Sequence, residues 1–486
     1  MIVSCVACSG GGSDGAHPPI ASASAPPIVA PPAAPPRERW SATIVFPTEN
    51  RDVLVSFEKY DPAAPWSATL DVPVAKLTGA ALSRVALEPE RIAFTLEKKS
   101  LPEQAWEVYE LKRAKDGDEA SGTLTVSGQT FAVRMVRLKD GEAPRTAFKR
   151  PQTPEAPYPY PTREVTVDAP DGAKLAGTLT VPSGSGPFPA VLLWSGSGQE
   201  DRDETVFGHK PWLILADALA RAGIAALRLD DRGVGKTTGN VGSLDTEIAD
   251  ASAAVEFMKA QPELDAKRLG MVGHSTGGMV LPNVAVKTKS LAFLVSLAGV
   301  ALPGSELVPL QLEIDGKLRH APEADLKEAI AAQKKVGAAV AKGDAAVKAV
   351  FVELFTPAMK AELGRAPTAA EVDAVVAPKV AEVMAPWPKS YFTLDPRVAW
   401  KKVSAPVLLV VGEKDTQVPA DPTIQALKSS LSKPSLLTAL KLPGLNHLFQ
   451  HAETGLSEEY AAIDESFDPE TLETITTWLK TQAKVP

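Results

Sequence analysis

The pentapeptide Gly273-His274-Ser275-Thr276-Gly277 contains the serine best suited to chemistry in this chain. It follows an apolar run and fits the pattern Gly-x-Ser-x-Gly, in which a strand turns sharply into a helix and presents the serine hydroxyl at the turn. Glycines lie two positions away on either side because larger side chains would clash there. The pattern alone is common, so its interpretation as a nucleophile depends on a base and an acid elsewhere in the chain.

A serine nucleophile needs a base, and His447 is the best-placed histidine. It lies in the loop directly after the last apolar run, where a base can reach across the strand ends. His451, one helical turn further on, is the weaker alternative, and a His447/His451 metal pair is disfavoured because the glutamate of an HExxH motif is absent. The other histidines are unsuited by their positions: His17, His209, His274 and His320.

Asp415 is the predicted acid that orients this base. The apolar run at 406–411 leads into the sequence Gly-Glu-Lys-Asp, which places Asp415 in a loop at the C-terminal end of a strand, where open α/β sheets bind ligands. Glu413 and Asp421 are ordinary surface charges by comparison. The chain order Ser275, Asp415, His447 is the one expected of a nucleophile elbow with its acid and base, so we predict a catalytic triad of these residues.

An oxyanion formed on the serine needs two N–H donors that are already in place. We predict that one is the backbone N–H of Thr276, directly after the nucleophile. The second should come from the glycine-rich loop 194–199 after the first buried strand, with the Ser197 N–H preferred and Gly198 the next choice. This loop could also be a simple turn, since glycine-rich turns between strand and helix are common.

The segment 229–237 resembles a phosphate-binding loop only superficially. Asp230 stands where the pattern G-x-x-x-x-G-K-[ST] requires glycine, so the segment is not a Walker A motif. We expect Asp230 and Arg232 instead to form hydrogen bonds that hold a strand-end loop beside the elbow.

The elements that must position these residues begin after a proline-rich linker at 149–161. From 162 to 486, buried-type apolar runs alternate with helical segments, which predicts a catalytic domain with a mostly parallel sheet and helices on both faces. A hairpin at 163–181 is expected at the leading edge of this sheet. Residues 302–396 are rich in Ala, Lys, Glu and Leu at helical spacing, and we interpret them as an inserted helical cap.

Residues 38–148 are predicted to form a small β-rich accessory domain. Seven segments alternate or are rich in β-branched and aromatic residues, which is typical of a sandwich or barrel-like sheet: 41–46, 53–57, 66–72, 91–96, 106–111, 122–126 and 131–137. No cluster of titratable residues stands out there. We favour a packing or positioning domain over a ligand-binding module, because a fold alone carries no function.

Composition narrows the possible partners. The chain has 486 residues, a formal charge of -8 and a pI near 5.5, so no basic surface for nucleic acid is expected. The sequence has no run of eighteen apolar residues that would predict a membrane span. Both cysteines, Cys5 and Cys8, fall within residues 1–37, so the body of the protein has no disulfide and no cysteine metal site.

Residues 1–37 combine a lipoprotein-like start with a spacer rich in proline and alanine. The sequence before Cys5 resembles a lipobox, and Cys8 precedes a Ser/Gly tether. Lipidation at Cys8 or Cys5 would anchor the protein to a bacterial cell envelope on the periplasmic side. The basic region and most of the apolar region of such a signal are missing before Met1, so an unanchored cytoplasmic protein with a disordered tail is the alternative. The oligomeric state cannot be predicted.

Residues 160–486 together resemble the α/β-hydrolase superfamily, in particular bacterial carboxylesterases and serine aminopeptidase-like (S33-type) hydrolases. The N-terminal β-unit resembles, more faintly, domains fused ahead of such enzymes. The resemblance implies short-chain carboxylic esters as small-molecule substrates, with no cofactor or metal. The matching motifs are Gly196-Ser197-Gly198, Asp201-Arg202-Asp203, Asp230–Gly235, Gly273–Gly278, Gly412–Asp415 and Asn446-His447.

Other functions stay open at this point. The same triad could cleave a peptide or amide bond, or transfer the acyl group to an alcohol. A non-catalytic, envelope-anchored binding protein is disfavoured because all three triad residues are present. A haloalkane-type hydrolase is excluded because its nucleophile would be an aspartate where Ser275 stands.

Overall fold

The computed structural model describes residues 37–46, 50–59, 64–72, 77–97, 105–139, 142, 150–460 and 462–485. Within these ranges the chain forms an N-terminal nine-stranded sheet and an eight-stranded sheet accompanied by helices. The predicted lipidation residues Cys5 and Cys8 lie outside the described residues. In the ranges described, no helix combines the length and the apolar character needed to cross a bilayer.

The N-terminal sheet is antiparallel throughout. Its strands are β1 (Arg37–Val45), β2 (Asn50–Glu58), β3 (Ser67–Val72), β4 (Leu77–Ala81), β5 (Ser83–Leu87), β6 (Arg91–Leu96), β7 (Glu107–Arg113), β8 (Glu119–Val126) and β9 (Gln129–Leu138). They lie in the order β4-β3-β2-β1-β9-β8-β7-β6-β5, so the two edge strands, β4 and β5, are consecutive in the chain and separated by Leu82 alone. The sheet therefore curls into a nearly closed barrel, which the Leu82 N–H tightens by donating to the Ala68 carbonyl at 2.9 Å.

Aromatic side chains fill the interior of this barrel. Trp40, Phe57, Phe94 and Tyr109 are all essentially inaccessible to solvent. Phe94 and Tyr109 stack with ring centroids 4.5 Å apart, and Phe57 meets Phe94 edge-on at 6.1 Å. The interior is thus a packed core of protein side chains, which suits a packing role better than the enclosure of a ligand.

The second sheet has the predicted α/β arrangement. Its strands are β10 (Thr162–Asp168), β11 (Lys174–Thr180), β12 (Phe188–Trp194), β13 (Ala225–Leu229), β14 (Leu264–His274), β15 (Leu291–Leu297), β16 (Val407–Gly412) and β17 (Leu437–Leu442). Their order is β10-β11-β13-β12-β14-β15-β16-β17. β10 and β11 form the predicted antiparallel hairpin, β11 pairs antiparallel with β13, and the strands from β13 to β17 are parallel.

The strand order creates a switch point at the C-terminal ends of β12 and β14. The chain leaves β12 toward β13 on one side and leaves β14 toward β15 on the other. Loops that diverge in this way open a crevice, and open α/β sheets bind their ligands in that crevice. The loop after β12 contains Ser197, and the turn after β14 contains Ser275, so the topology brings two predicted parts of the site together.

Helices cover both faces of this sheet. They are α1 (Pro211–Arg221), α2 (Leu244–Lys259), α3 (Gly277–Thr288), α4 (Gly304–Leu318), α5 (Glu323–Val340), α6 (Asp344–Leu363), α7 (Ala369–Val383), α8 (Pro386–Thr393), α9 (Pro396–Trp400), α10 (Ala420–Ser430) and α11 (Pro469–Ala483), with 3-10 turns at Pro434–Leu436 and Ser457–Glu459. Val191 packs with α1 and α11 whereas Leu192 packs with α2 and α3, as a strand buried on both faces requires. Helices α4 to α8 lie between β15 and β16, in the stretch 302–396 that is predicted from the sequence to be a helical cap.

The barrel contacts the unit built on the eight-stranded sheet through residues near 463 and 464, which follow the predicted base along the chain. Arg134 on β9 forms an ion pair with Asp464 at 2.5 Å. In the linker, Arg150 donates a hydrogen bond to the carbonyl of Ile463 at 3.2 Å. The accessory sheet therefore packs against a loop that continues directly into the site.

Candidate active site

Ser275 lies at the turn between β14 and α3. Its backbone φ of +52° is in the left-handed region, which a non-glycine residue occupies at a cost of about 1–3 kcal/mol. The glycines on either side make the turn possible. A Cβ on Gly273 would lie 2.6 Å from the Gly277 carbonyl oxygen, and a Cβ on Gly277 would lie 2.7 Å from the Trp194 carbonyl oxygen. The serine is therefore held in a strained, mostly buried position that only this small-residue turn allows.

Asp415 and His447 are brought together by the loops that follow the adjacent strands β16 and β17. His447 Nδ1 lies 2.8 Å from Asp415 Oδ2, and both residues are buried. Asp415 Oδ1 accepts the backbone N–H groups of Gln417 at 2.9 Å and Val418 at 2.8 Å. An ionised carboxylate can only accept, so the proton of a neutral His447 is on Nδ1 and its Nε2 is left to act as a base.

The turn that carries His447 is held by Asn446, which is fully buried. Its side-chain oxygen accepts the backbone N–H groups of Leu448 and Gln450, both at 3.0 Å. Its amide nitrogen donates to Gln450 Oε1 at 2.9 Å. The sequence motif Asn-His therefore places a structural residue next to the predicted base.

Ser275 Oγ makes no hydrogen bond to any residue within the described part of the chain. The loop of His447 nonetheless lies beside it, because the His447 carbonyl oxygen is 3.1 Å from Nε2 of His274, the residue before Ser275. Catalytic hydrogen bonds commonly shorten only in the complex with substrate. The structure thus joins Asp415 and His447 directly and places Ser275 next to them without a direct bond.

The two predicted oxyanion donors lie at the ends of the neighbouring strands β12 and β14. Thr276 is the N-cap residue of α3, so its amide lies at the positive end of the helix dipole. The loop after β12 approaches closely, since a Cβ on Gly196 would lie 3.0 Å from Ser275 Cβ. The Gly196 amide donates to Glu204 Oε1 at 3.0 Å, whereas the amides of Ser197 and Thr276 donate to none of the described residues. Both amides are therefore available to an anion, and so is the amide of Gly198, the second choice from the sequence, which likewise donates to none of the described residues.

The four charged residues at 201–204 follow this loop, and each has a defined partner. Asp201 accepts the backbone N–H groups of Asp203 and Thr205, both at 3.0 Å, and so shapes the turn. The side-chain pairs are Arg202 with Asp230 at 2.7 Å, Asp203 with Arg228, and Glu204 with His274 at 2.8 Å. The first three of these residues belong to a motif that is recognisable in the sequence, whereas Glu204, which directly follows them, is not predicted from it.

Asp230 and Arg232 have the structural roles expected from the sequence. Asp230 accepts the backbone N–H of Arg202 at 2.9 Å in addition to its side chain. Arg232 pairs with Asp250 on α2 at 2.6 Å and with Asp171 in the β10–β11 turn at 2.7 Å. Both residues therefore fasten the strand-end loops around the elbow.

A cavity of about 40 Å³ lies beside the predicted oxyanion loop. Its lining includes Trp194, Gly198, Asp231 and Glu247. Burial raises the pKa of Asp231 to about 8 and that of Glu247 to about 7. Glu247 Oε1 accepts the indole N–H of Trp387 at 2.6 Å, which links α2 to helix α8 of the cap. The cavity thus combines an aromatic wall with carboxyl groups that change charge near neutral pH.

We expect Glu247→Gln to raise the melting temperature at about pH 8 and to have a much smaller effect at about pH 5. Burial raises the pKa of Glu247 from 4.5 to about 7, so the native state binds a proton more readily than the unfolded state. Its contribution to stability therefore falls as the pH rises through this interval. Glutamine stays neutral and still accepts the Trp387 N–H. Thermal unfolding at both pH values tests the prediction.

Glu256→Gln is the matched control for this measurement. Glu256 is on the same helix, α2, but is exposed and pairs with Lys259 at 2.8 Å. Its replacement should leave the pH dependence of the melting temperature unchanged. Equal destabilisation of the Glu247→Gln variant at both pH values would contradict the prediction.

One group of three residues in the described ranges has the geometry of a metal site: His451, Glu465 and Asp468, whose ligand atoms lie within 4.8 Å of one another. These side chains already have partners. His451 Nδ1 is 3.0 Å from Glu465 Oε2, and Asp468 Oδ2 accepts the Thr471 N–H at 2.8 Å as the cap of α11. His447 is not a member of this group, so the metal pair considered from the sequence has no counterpart in the geometry.

The fold and the site define an α/β-hydrolase. The strand order, the strained serine between β14 and α3, and the buried His447–Asp415 pair in the loops after β17 and β16 are its features. Residues 171–448, more than half of the chain, match the model of the family described as X-Pro dipeptidyl-peptidase (S15 family). The chain belongs to this family, and the predicted superfamily and enzyme class, a hydrolase, are thereby confirmed.

Individual relatives are similar over parts of their length. Esterase EstD of Thermotoga maritima is 32% identical over 210 residues, which is 43% of this chain and 48% of the relative. Esterase FrsA of Yersinia pestis is 33% identical over 135 residues, 26% of this chain and 28% of the relative. The chain thus spans less than half the length of each. A solved structure, the Pyrococcus furiosus esterase Pf2001, aligns over 67% of this chain and 93% of its own with 18% identity and a TM-score of 0.39.

Proposed function

We propose that this protein is a serine hydrolase that cleaves carboxylic esters with short acyl chains through an acyl-enzyme on Ser275. The observation that carries the proposal is the 2.8 Å bond between buried His447 and Asp415, in loops that open beside a serine held at a positive φ. The similarity to proteins named esterases supports an ester as the substrate. These residues have the division of roles seen in other Ser-His-Asp enzymes.

In the proposed reaction, His447 Nε2 takes the proton of the Ser275 hydroxyl as Oγ attacks the ester carbonyl carbon. Asp415 holds the ring and stabilises the imidazolium, and the amides of Thr276 and Ser197 bind the oxyanion. His447 then gives the proton to the departing alkoxide, which leaves as an alcohol. A water molecule, deprotonated by His447, attacks the acyl-enzyme, and the bond to Ser275 Oγ breaks. His447 returns the proton to Oγ, which regenerates the serine and releases a carboxylic acid. None of these steps needs a cofactor.

Cleavage of an amide or peptide bond is the second candidate. The description of the family as a dipeptidyl-peptidase favours it, and the same triad and oxyanion donors would serve. The difference is in the leaving group, because an amine must be protonated as it departs whereas an alkoxide leaves more readily. Transfer of the acyl group to an alcohol instead of water is a further variant of the same chemistry.

Labelling with a fluorescent fluorophosphonate tests the proposal. Wild-type protein should be labelled, and the Ser275→Ala variant should not. A panel of p-nitrophenyl esters and p-nitroanilides with the same acyl groups should then show faster ester hydrolysis. Unlabelled, well-folded wild-type protein would overturn the proposal, and faster cleavage of the anilides would replace the esterase by the amidase.

We also propose, on the sequence around Cys5 and Cys8 alone, that the natural protein is lipid-anchored on the periplasmic side of a bacterial envelope. Metabolic labelling with a clickable fatty acid should mark the protein and should be lost on replacement of Cys8, or of Cys5 if that is the modified residue. Absence of label on the wild-type protein would favour the unanchored alternative.

A further inference from the structure

A buried histidine–glutamate pair lies behind the proposed triad, and the mechanism above does not use it. Nδ1 of His274 is 2.8 Å from Oε1 of Glu204, and both side chains are buried. The other ring nitrogen, Nε2, is 3.1 Å from the carbonyl oxygen of His447. Glu204 Oε1 also accepts the N–H of Gly196 at 3.0 Å. Two side chains thus connect the nucleophile strand, the base loop and the oxyanion loop.

The contacts define where the protons of this pair lie. A carbonyl oxygen can only accept, so Nε2 of His274 carries a proton that it donates to His447. Nδ1 faces the carboxylate of Glu204, and a proton between them is required because two lone pairs would repel at this separation. Burial alone would lower the pKa of His274, but the charge of Glu204, its hydrogen bond, the His447 carbonyl and the charge of Asp415 raise it instead. Whichever partner holds the shared proton, Nε2 of His274 keeps its own proton and donates it to the His447 carbonyl oxygen.

The surroundings of His274 leave it no other role. Its ring centroid lies 4.7 Å from that of His447, and the rings of Trp212 and Phe449 lie at 6.2 and 6.4 Å. Trp212 is itself fixed, because its indole N–H donates to the hydroxyl of Ser195 at 2.9 Å. His274 is thus enclosed by the base, two aromatic rings and its carboxylate partner.

The loop that presents Glu204 is strained. Glu204 has a φ of +53°, a left-handed conformation that costs a non-glycine residue about 1–3 kcal/mol. Asp201 stabilises this turn by accepting the Thr205 backbone N–H at 3.0 Å and its hydroxyl at 2.8 Å. Strain of this kind persists only where surrounding contacts impose it, and here the contact imposed is the one with His274.

We propose that His274 and Glu204 are positioning residues that align the base and the oxyanion loop with the nucleophile. His274 fixes the His447 loop through its carbonyl oxygen, and Glu204 fixes Gly196, the residue before the proposed oxyanion donor Ser197. Neither side chain forms a hydrogen bond with Ser275 Oγ or with Nε2 of His447. The inference rests on the proposed function, because it assumes that Ser275 and His447 carry out the chemistry.

Two double variants test this inference: His274→Gln with Glu204→Gln, and His274→Asn with Glu204→Gln. Both replace the buried imidazole and the buried carboxyl group by neutral amides. A glutamine amide nitrogen occupies the position of Nε2 and can still donate to the His447 carbonyl, whereas an asparagine amide occupies the position of Nδ1 and cannot. We expect the Gln variant to retain a kcat at least about tenfold above that of the Asn variant, with KM values within about threefold, because misplacement of a base mainly slows the chemical step.

The matched control is His451→Asn. His451 also pairs with a glutamate, Glu465 at 3.0 Å, but it is exposed and outside the proposed machinery. Its kcat should stay within about twofold of wild type, as for surface changes in general. If the double variants fail to fold, Glu204→Gln alone decides the matter, since it keeps the shape of the side chain and removes its carboxyl group. A kcat at least about fivefold below wild type at unchanged KM then supports the inference, and a wild-type kcat overturns it.

The outcomes separate this inference from the proposed function. Suppose that wild-type protein reacts with fluorophosphonate and hydrolyses ester, and that the two double variants have equal kcat values. This result overturns the inference alone. Wild-type protein that does not react overturns the proposed function and the inference with it. A kcat difference between the Gln and Asn variants at similar KM supports both.

Discussion

Replacement of Ser275 by alanine is expected to lower kcat for ester hydrolysis by about 10⁴- to 10⁶-fold, the range seen when a triad nucleophile is removed. The variant lacks Oγ, so no acyl-enzyme can form. KM should change far less, because the hydroxyl makes no bond to the described residues and the rest of the site stays in place. Steady-state hydrolysis of a p-nitrophenyl ester near neutral pH measures both constants.

Ser252→Ala is the control for this experiment. Ser252 is also buried, but it is on helix α2, and its hydroxyl donates a hydrogen bond to the Ile248 carbonyl oxygen at 2.5 Å. Its kcat should stay within about twofold of wild type. If Ser275→Ala kept more than about one hundredth of the activity, Ser275 would not be the nucleophile, because triad removal elsewhere leaves far less.

The parts of the fold and site that could be predicted from the sequence are those with a local pattern. The apolar run at 291–297 coincides with β15, because a parallel strand covered on both faces must be apolar along its whole length. The elbow around Ser275, the loop of Asp415 and the loop of His447 each have a short motif at a strand end. Chain order then related the three motifs to one another, and the geometry brings the acid and base within a hydrogen bond.

The parts that could not be predicted depend on contacts between distant segments. Strand β4 (Leu77–Ala81) is mostly exposed and contains glycine, so it has no alternating pattern, and its strand conformation depends on pairing with β3. The pair of Glu204 and His274 joins residues 70 positions apart. A charged residue in a loop carries no local sign of its partner, and His274 was interpreted only as part of the elbow. Contacts between residues this far apart in the chain can be seen only in the folded structure.

Replacement of Asp415 by asparagine is expected to lower kcat by about 10⁴-fold while the fold is retained. The reason lies in the two hydrogen bonds at Asp415 Oδ1, which accepts the N–H groups of Gln417 and Val418. In the variant the amide oxygen must take this place, since the amide nitrogen cannot accept. The NH₂ group then faces His447 Nδ1 and donates to it. His447 is thereby forced to carry its proton on Nε2, the nitrogen that must be free to act as a base.

Asp421→Asn separates this tautomer effect from a general loss of negative charge near the site. Asp421 is at the start of α10, six positions further along the chain, and pairs on the surface with Lys441 at 2.9 Å. Its kcat should remain within about twofold of wild type. Asp415→Asn should also slow fluorophosphonate labelling in proportion to kcat, because both reactions need an unprotonated Nε2. If Asp415→Asn kept a wild-type kcat, His447 would not depend on Asp415 for its tautomer, and the division of roles within the triad would be wrong.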